Sequence, residues 1–213
     1  MAIYVTSDAH GHVRALDEAL SKISLTSDDT LYVLGDMIDR GPDPVGVIKL
    51  VRSLPNARVL KGNHEQIMLD AIIGQDPLDA ETWDINGGWT TREQLNDMEF
   101  EAYEELVRWM ATLPLYAVAE ADERPYLLVH AGIQTEAARA FLLEHGVDCA
   151  DGAGAVDADR ELLKQMLAVQ SSDDLLWIRH GYWDAPTGLL SAEGKGPVVV
   201  SGHTPTVSLG RYC

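Results

Sequence analysis

Five short polar motifs follow one another along the chain, each at the end of an apolar run. They are Asp8-Ala9-His10-Gly11, Gly35-Asp36-Met37-Ile38-Asp39-Arg40-Gly41, Gly62-Asn63-His64-Glu65, His130-Ala131-Gly132 and Gly202-His203-Thr204. They offer carboxylates, imidazoles and one carboxamide in a number that suits two divalent metal ions. Two ions sharing a water form a centre for hydrolysing phosphate esters. Mixed nitrogen and oxygen ligands, with no thiolate among them, favour Mn, Fe or Zn over an all-oxygen Mg or Ca site.

Asp8 and His10 alternate around one residue at a predicted strand end. Extended backbone would put both side chains on the same side, within reach of one ion. Asp36 lies at the next strand end, and its two oxygens suffice to bridge two ions. Asn63 adds a neutral carbonyl oxygen, and His130 and His203 add imidazole nitrogens from later strands. Gly11, Gly35, Gly41, Gly62, Gly132 and Gly202 flank these positions, where the backbone must turn sharply or pass close to the ions. Taken singly, an Asp at a strand end reads as a helix cap, and His-Ala-Gly or Gly-His-Thr reads as nothing. The weight rests on all five in order, with Gly-Asp-x-x-Asp-Arg-Gly the most specific. His12, His145 and His180 belong to no motif and are expected to be structural.

The elements that must position these residues are legible from periodicity. Ala2–Thr6, Thr30–Leu34 and Arg58–Leu60 are β-prone runs. Helical spacing follows each of them, over Val13–Ile23, Val45–Leu54 and Glu65–Ile73. Pro44 suits a first helical turn. This alternation predicts an α/β fold with parallel crossovers. Ligands in such sheets collect at the carboxyl ends of the strands, where the first three motifs fall. The pattern breaks after Gly74. Residues 74–113 are expected to form a helical cap insert, with a turn-rich aromatic stretch at Trp83–Trp89 and a helix over Glu99–Leu113 stopped by Pro114. Packing of the cap is the expected role of Trp83 and Trp89, with stacking on a base as the alternative. Strands are expected again at Leu115–Ala119 and Tyr126–His130, helices at Thr135–Gly146 and Asp159–Ala168, and a final buried strand at Pro197–Ser201.

The chain has 213 residues and 46% hydrophobic content, enough to bury a substantial core in a single domain over residues 1–213. Thirty-four acidic residues against sixteen lysines and arginines give a formal charge of −18. That balance argues against nucleic-acid binding, which depends on basic side chains neutralising phosphates. The two cysteines, Cys149 and Cys213, have no partners at metal-ligand spacing and are expected to be incidental thiols. Asp8 comes too early for a signal peptide's apolar core, and no run approaches a membrane span. A cytoplasmic protein with no membrane partner is the expectation.

The motifs resemble those of the PPP family of metallophosphoesterases, the calcineurin-like enzymes, and most closely its bacterial and phage lambda-type protein phosphatases. The resemblance runs from Ile3 to Thr204. Asn86-Gly87-Gly88 after Trp83 is similar to a cap sequence of bacterial members, and Trp177-Ile178-Arg179 to the family's late arginine segment. The resemblance implies a core of two mixed sheets flanked by helices, in α/β/β/α layers. It implies two divalent ions, with Mn expected and Fe or Zn as alternatives. Asp8, His10 and Asp36 would hold the first; Asp36, Asn63, His130 and His203 would hold the second. His64 would be the general acid, oriented by Asp39, and Arg40, Arg179 and Asn63 would contact the phosphoryl group.

The activity so implied is a Ser/Thr protein phosphatase that hydrolyses phosphomonoesters by direct attack of a metal-bridging hydroxide. Its substrate would be a phosphoprotein or a small phosphate ester. One alternative is a dinucleoside polyphosphate hydrolase built on the same metal core, with substrate choice in the cap and loops. Glu65, after Asn63-His64, is more similar to the protein-phosphatase branch. A non-catalytic metal-binding scaffold is the other alternative, but such a protein should have lost His64, Asp39 or Arg40, and all three are present. Family members usually continue beyond Gly-His-Thr into a further strand region, whereas this chain stops at Cys213. An unpaired sheet edge and a weakened second metal site are the expected consequences.

Overall fold

Short β-branched runs and amphipathic helices alternate through the first half of the chain, and the structure, a computed structural model, follows that alternation. It describes residues 1–74, 76–149, 152–180, 182–183 and 185–205. The chain divides into two compact units, Met1–Pro114 and Leu115–Cys213.

In the first unit β1 (Ile3–Thr6), β2 (Thr30–Val33) and β3 (Ala57–Val59) form a sheet in the order β1-β2-β3, parallel throughout. Helices α1 (Val13–Ile23), α2 (Pro44–Ser53) and α3 (Asn63–Ile73) follow the strands. Pro44 opens α2, and the Asp43 side chain caps it by accepting the Gly46 N–H. Leu31 and Val33 of β2, Ile48 and Val51 of α2, and Met68 of α3 are fully buried in one apolar cluster. The stretch after Gly74 is helical: α4 (Pro77–Ile85), α5 (Trp89–Asn96) and α6 (Phe100–Ala111). The turn-rich reading of Trp83–Trp89 holds only for the break between α4 and α5, because Asp76 caps α4 and carries the chain into a helix ahead of it. Trp83, Leu95, Leu106 and Met110 join the same core, so this segment is packed onto the unit.

In the second unit β4 (Tyr116–Ala121) and β5 (Arg124–Val129) form an antiparallel hairpin. Its two turn residues, Asp122 and Glu123, both have positive φ, as a tight hairpin turn requires. β6 (Val198–Val200) pairs parallel to β5, so this sheet is mixed. β6 is only half-buried, which corrects the expectation of a buried final strand; its three valines all keep some exposure. Helices α7 (Thr135–Glu144), α8 (Arg160–Ala168) and α9 (Ser172–Trp177) bury Leu142, Leu163, Met166, Leu167 and Leu175 with Leu127 and Val129 of β5. α9 has six residues, too few for a periodicity to show, and is announced only by its Ser171 cap on the Asp174 N–H. Two three-stranded sheets flanked by helices make up the α/β fold. Among the described residues no helix is long and apolar enough to cross a membrane. Cys149 is a buried free thiol; Cys213 and the expectations attached to the chain's end lie outside the described residues.

Candidate metal centre

The first two motifs occupy the loops after β1 and β2 and are tied together by backbone hydrogen bonds, while the third, at the start of α3, is tied to the second through the Glu65 and Asp36 side chains. Asp8 N–H donates to Gly35 O (3.1 Å), His10 N–H to Asp36 O (2.9 Å) and Gly11 N–H to Met37 O (2.9 Å). The expectation that extended backbone aligns Asp8 with His10 is corrected here. β1 stops at Thr6, and Asp8 and His10 have φ of 56° and 39°. Asp36, Asp39, Arg40 and His203 also lie in the left-handed region, at 54°, 69°, 65° and 63°. Such a conformation costs a non-glycine residue roughly 1–3 kcal/mol and persists where surrounding structure enforces it. Six of the nine such residues among those described belong to the motifs, so the strain is concentrated where the chemistry is.

Within the first unit the structure brings His10, Asp36, Asp39, Arg40 and His64 together. His10 Nδ1 donates to Ile38 O at 2.8 Å, which leaves the Nε2 lone pair to face Asp36 Oδ2 at 3.5 Å. His64 Nδ1 donates to Asp39 Oδ2 at 2.7 Å, and its Nε2 lies 4.0 Å from the same Asp36 oxygen. Three ligand atoms thus converge within 4.8 Å of one another. Converging lone pairs repel unless a cation lies among them. Arg40 supplies positive charge from one side, through its guanidinium at 3.0 Å from His10 Nε2 and 2.8 Å from His64 Nε2. A borderline divalent ion fits the His10 Nε2 and Asp36 Oδ2 pair. The carbonyl-anchored His10 also has the partner that metal-ligating histidines ordinarily use to fix their tautomer. Burial is the main reason the His10 pKa falls to about 4, with His64 and Arg40 adding repulsion. Burial, and then the neighbouring Glu65 charge, push the Asp36 carboxyl well up. Asp8 adds its own negative charge to both His10 and Asp36. Asn63 is buried as the first residue of α3.

Two residues near this cluster have roles that their motifs did not announce. Glu65 is fully buried, and its carboxylate accepts the N–H groups of Asp36, Met37 and Gly62, each at 2.8 Å. It is a clamp on loop backbone, so its presence says nothing about substrate branch. Burial raises its pKa against the pull of these three bonds. Trp83 is buried, with its Nε1 3.0 and 3.2 Å from the two Asp39 oxygens. That sets aside base stacking for Trp83, whereas Trp89 is 54% exposed.

In the second unit the parallel pairing of β5 with β6 sets the two late motifs side by side. Gly202 N–H donates to His130 O at 2.8 Å, and His130 Nε2 meets His203 Nδ1 at 3.2 Å. Both rings are buried. Arg179 Nε donates to His203 Nε2 at 3.0 Å, and the Trp177 ring stands edge-on to His203. Arg179, just beyond α9, thus donates to one imidazole of this pair, whereas Arg40 in the first unit reaches two. Of the histidines outside the motifs, His145 is tied to Phe141 by a hydrogen bond and ring stacking, and the His12 backbone opens α1.

A profile of the calcineurin-like phosphoesterase family matches residues 1–213. Among characterised relatives, a symmetrical bis(5'-nucleosyl)-tetraphosphatase of Erwinia tasmaniensis is 32% identical over 136 residues, which are 62% of this chain and 45% of that protein. The enzyme of the same name from Proteus mirabilis is 29% identical over 100% of this chain and 68% of its own length. The chain thus spans about half to two thirds of the relatives it matches. Among solved structures, a protein serine/threonine phosphatase from Saccharomyces cerevisiae aligns with a TM-score of 0.48 and 21% identity, covering 63% of this chain and 39% of that one.

Proposed function

The chain belongs to the calcineurin-like phosphoesterase family, and we propose that within it the chain hydrolyses dinucleoside polyphosphates. The observation that carries this reading is the alignment with the Proteus mirabilis tetraphosphatase, which extends over the whole chain. The Ser/Thr protein phosphatase reading, put first on the motifs alone, loses its one distinguishing residue once Glu65 is a backbone clamp.

By the family resemblance, Asp8, His10 and Asp36 would hold one ion, and Asp36, Asn63, His130 and His203 would be the candidates for a second. Manganese is the first metal to try. Bound divalent ions would neutralise phosphoryl charge and make hydroxide available near neutral pH. Arg40 is an exposed residue whose guanidinium fork can match two phosphoryl oxygens. Arg179 would do the same from the second unit. His64, held at Nδ1 by Asp39, presents Nε2 as the atom that delivers a proton to the departing oxygen. General acid catalysis of this kind contributes roughly 10²–10⁴-fold.

The test compares diadenosine tetraphosphate with a phosphoserine peptide on metal-stripped protein resupplied with Mn²⁺, Zn²⁺, Mg²⁺ or none. The expected outcome is metal-dependent release of two nucleoside diphosphates, with a kcat/KM well above that for the peptide. Faster turnover of the peptide would reverse the substrate assignment. Turnover of neither substrate with any metal would return the scaffold reading.

A further inference from the structure

We propose that the segment Trp83–Thr91 is a clamp whose Trp83 and Thr91 side chains are positioning residues for proton delivery by His64. The inference rests on the reading of His64 as the proton donor.

Asp39 is fully buried, and its two oxygens are spoken for. Oδ1 accepts from Thr91 Oγ1 at 2.6 Å and from Trp83 Nε1 at 3.0 Å. Oδ2 accepts from His64 Nδ1 at 2.7 Å. The Thr91 hydroxyl also accepts the Asp39 backbone N–H at 2.9 Å, which closes a small ring around the side chain. Rotation of the carboxylate would break the Thr91 and Trp83 bonds together, so the direction in which Oδ2 meets the imidazole is set by two residues of α4 and α5.

The glycines between them serve the same contact. A Cβ at Gly88 would overlap the Trp83 indole, so a glycine there leaves room for the ring to reach Asp39. Gly87, at φ +94°, turns its carbonyl to accept the Arg40 N–H at 3.0 Å. Trp83, Gly87 and Thr91 therefore engage Asp39 and Arg40 through four hydrogen bonds, two of them made by the Thr91 hydroxyl, and Asp39 and Arg40 are both at positive φ. Apolar packing alone would be served equally by Phe at 83 and Val at 91. The N–H and O–H groups aimed at one carboxylate would not.

The experiment measures kcat for Mn²⁺-loaded wild type, Trp83→Phe, Thr91→Val, Thr91→Ser and His64→Asn on aryl phosphates whose phenols span good to poor leaving groups. A misoriented acid penalises poor leaving groups most. A hydrogen bond to a charged group is worth enough that Trp83→Phe and Thr91→Val should lose about tenfold more on phenyl phosphate than on p-nitrophenyl phosphate. Thr91→Ser, which keeps the hydroxyl, should follow the wild-type dependence, and His64→Asn should show a larger loss of the same kind. Equal losses on every ester, or none, in Trp83→Phe and Thr91→Val while His64→Asn steepens would overturn the clamp alone. A flat dependence in His64→Asn would overturn the proton-donor reading, and the clamp with it. If Trp83→Phe does not fold, the Thr91→Val and Thr91→Ser pair decides.

Discussion

The Glu65 carboxylate accepts the backbone N–H of Asp36 at 2.8 Å, so the residue after the Asn63-His64 pair holds the loop that carries the bridging-ligand candidate. The same carboxylate takes the N–H groups of Met37 and Gly62, and the loops after β2 and β3 become one unit. Glu65→Gln replaces one oxygen by an amide nitrogen that would face a backbone donor. The expected cost is about 1–3 kcal/mol, the penalty of leaving a buried donor unsatisfied. Urea unfolding measures it directly. A midpoint within error of wild type would mean that the loops are held by something else.

Gly35 and Gly62 press backbone against backbone. Gly35 sits at φ +89°, and a Cβ there would overlap Gly62 N. A Cβ on Gly62 would in turn overlap Asp36 Oδ1. Gly35→Ala should therefore combine a left-handed alanine with a clash and cost on the order of 3 kcal/mol or more. Thermal unfolding should show a large fall in Tm, and an unchanged Tm would contradict the close approach.

Metal binding should follow the two sets of ligands. Two ions per chain are expected in wild type, falling to one in His203→Ala, with a chelator abolishing turnover and Mn²⁺ restoring it. Elemental analysis after gel filtration gives the count. Two ions retained by His203→Ala would remove His203 from the ligand set. Because ions bind the folded state, their removal should also lower Tm.

His64→Ala should keep its metals and lose about 10²–10⁴-fold on esters with poor leaving groups. The loss should be smaller on a phosphoanhydride, whose leaving phosphate needs less help from a proton. Near-normal turnover of an alkyl phosphate by this variant would exclude His64 from the reaction.

The list of chemical groups, and the frame that carries them, can be read from local features of the chain. Strand-length apolar runs, helical spacing and turn glycines are local signals, and they placed β1 to β3, α1 to α3 and the five motifs within a residue or two. How those groups are aimed depends on contacts between distant parts of the chain. The left-handed turns at Asp8, His10, Asp36, Asp39 and Arg40 oppose the intrinsic preference of each residue, so no propensity could announce them. Glu65 reaches Asp36 across 29 positions, and Trp83 and Thr91 reach Asp39 across 44 and 52. Contacts at such separations leave no periodicity in the chain. They exist because the sheet brings the loops together and the helices after Gly74 pack onto that same unit, where a buried carboxylate must find its donors.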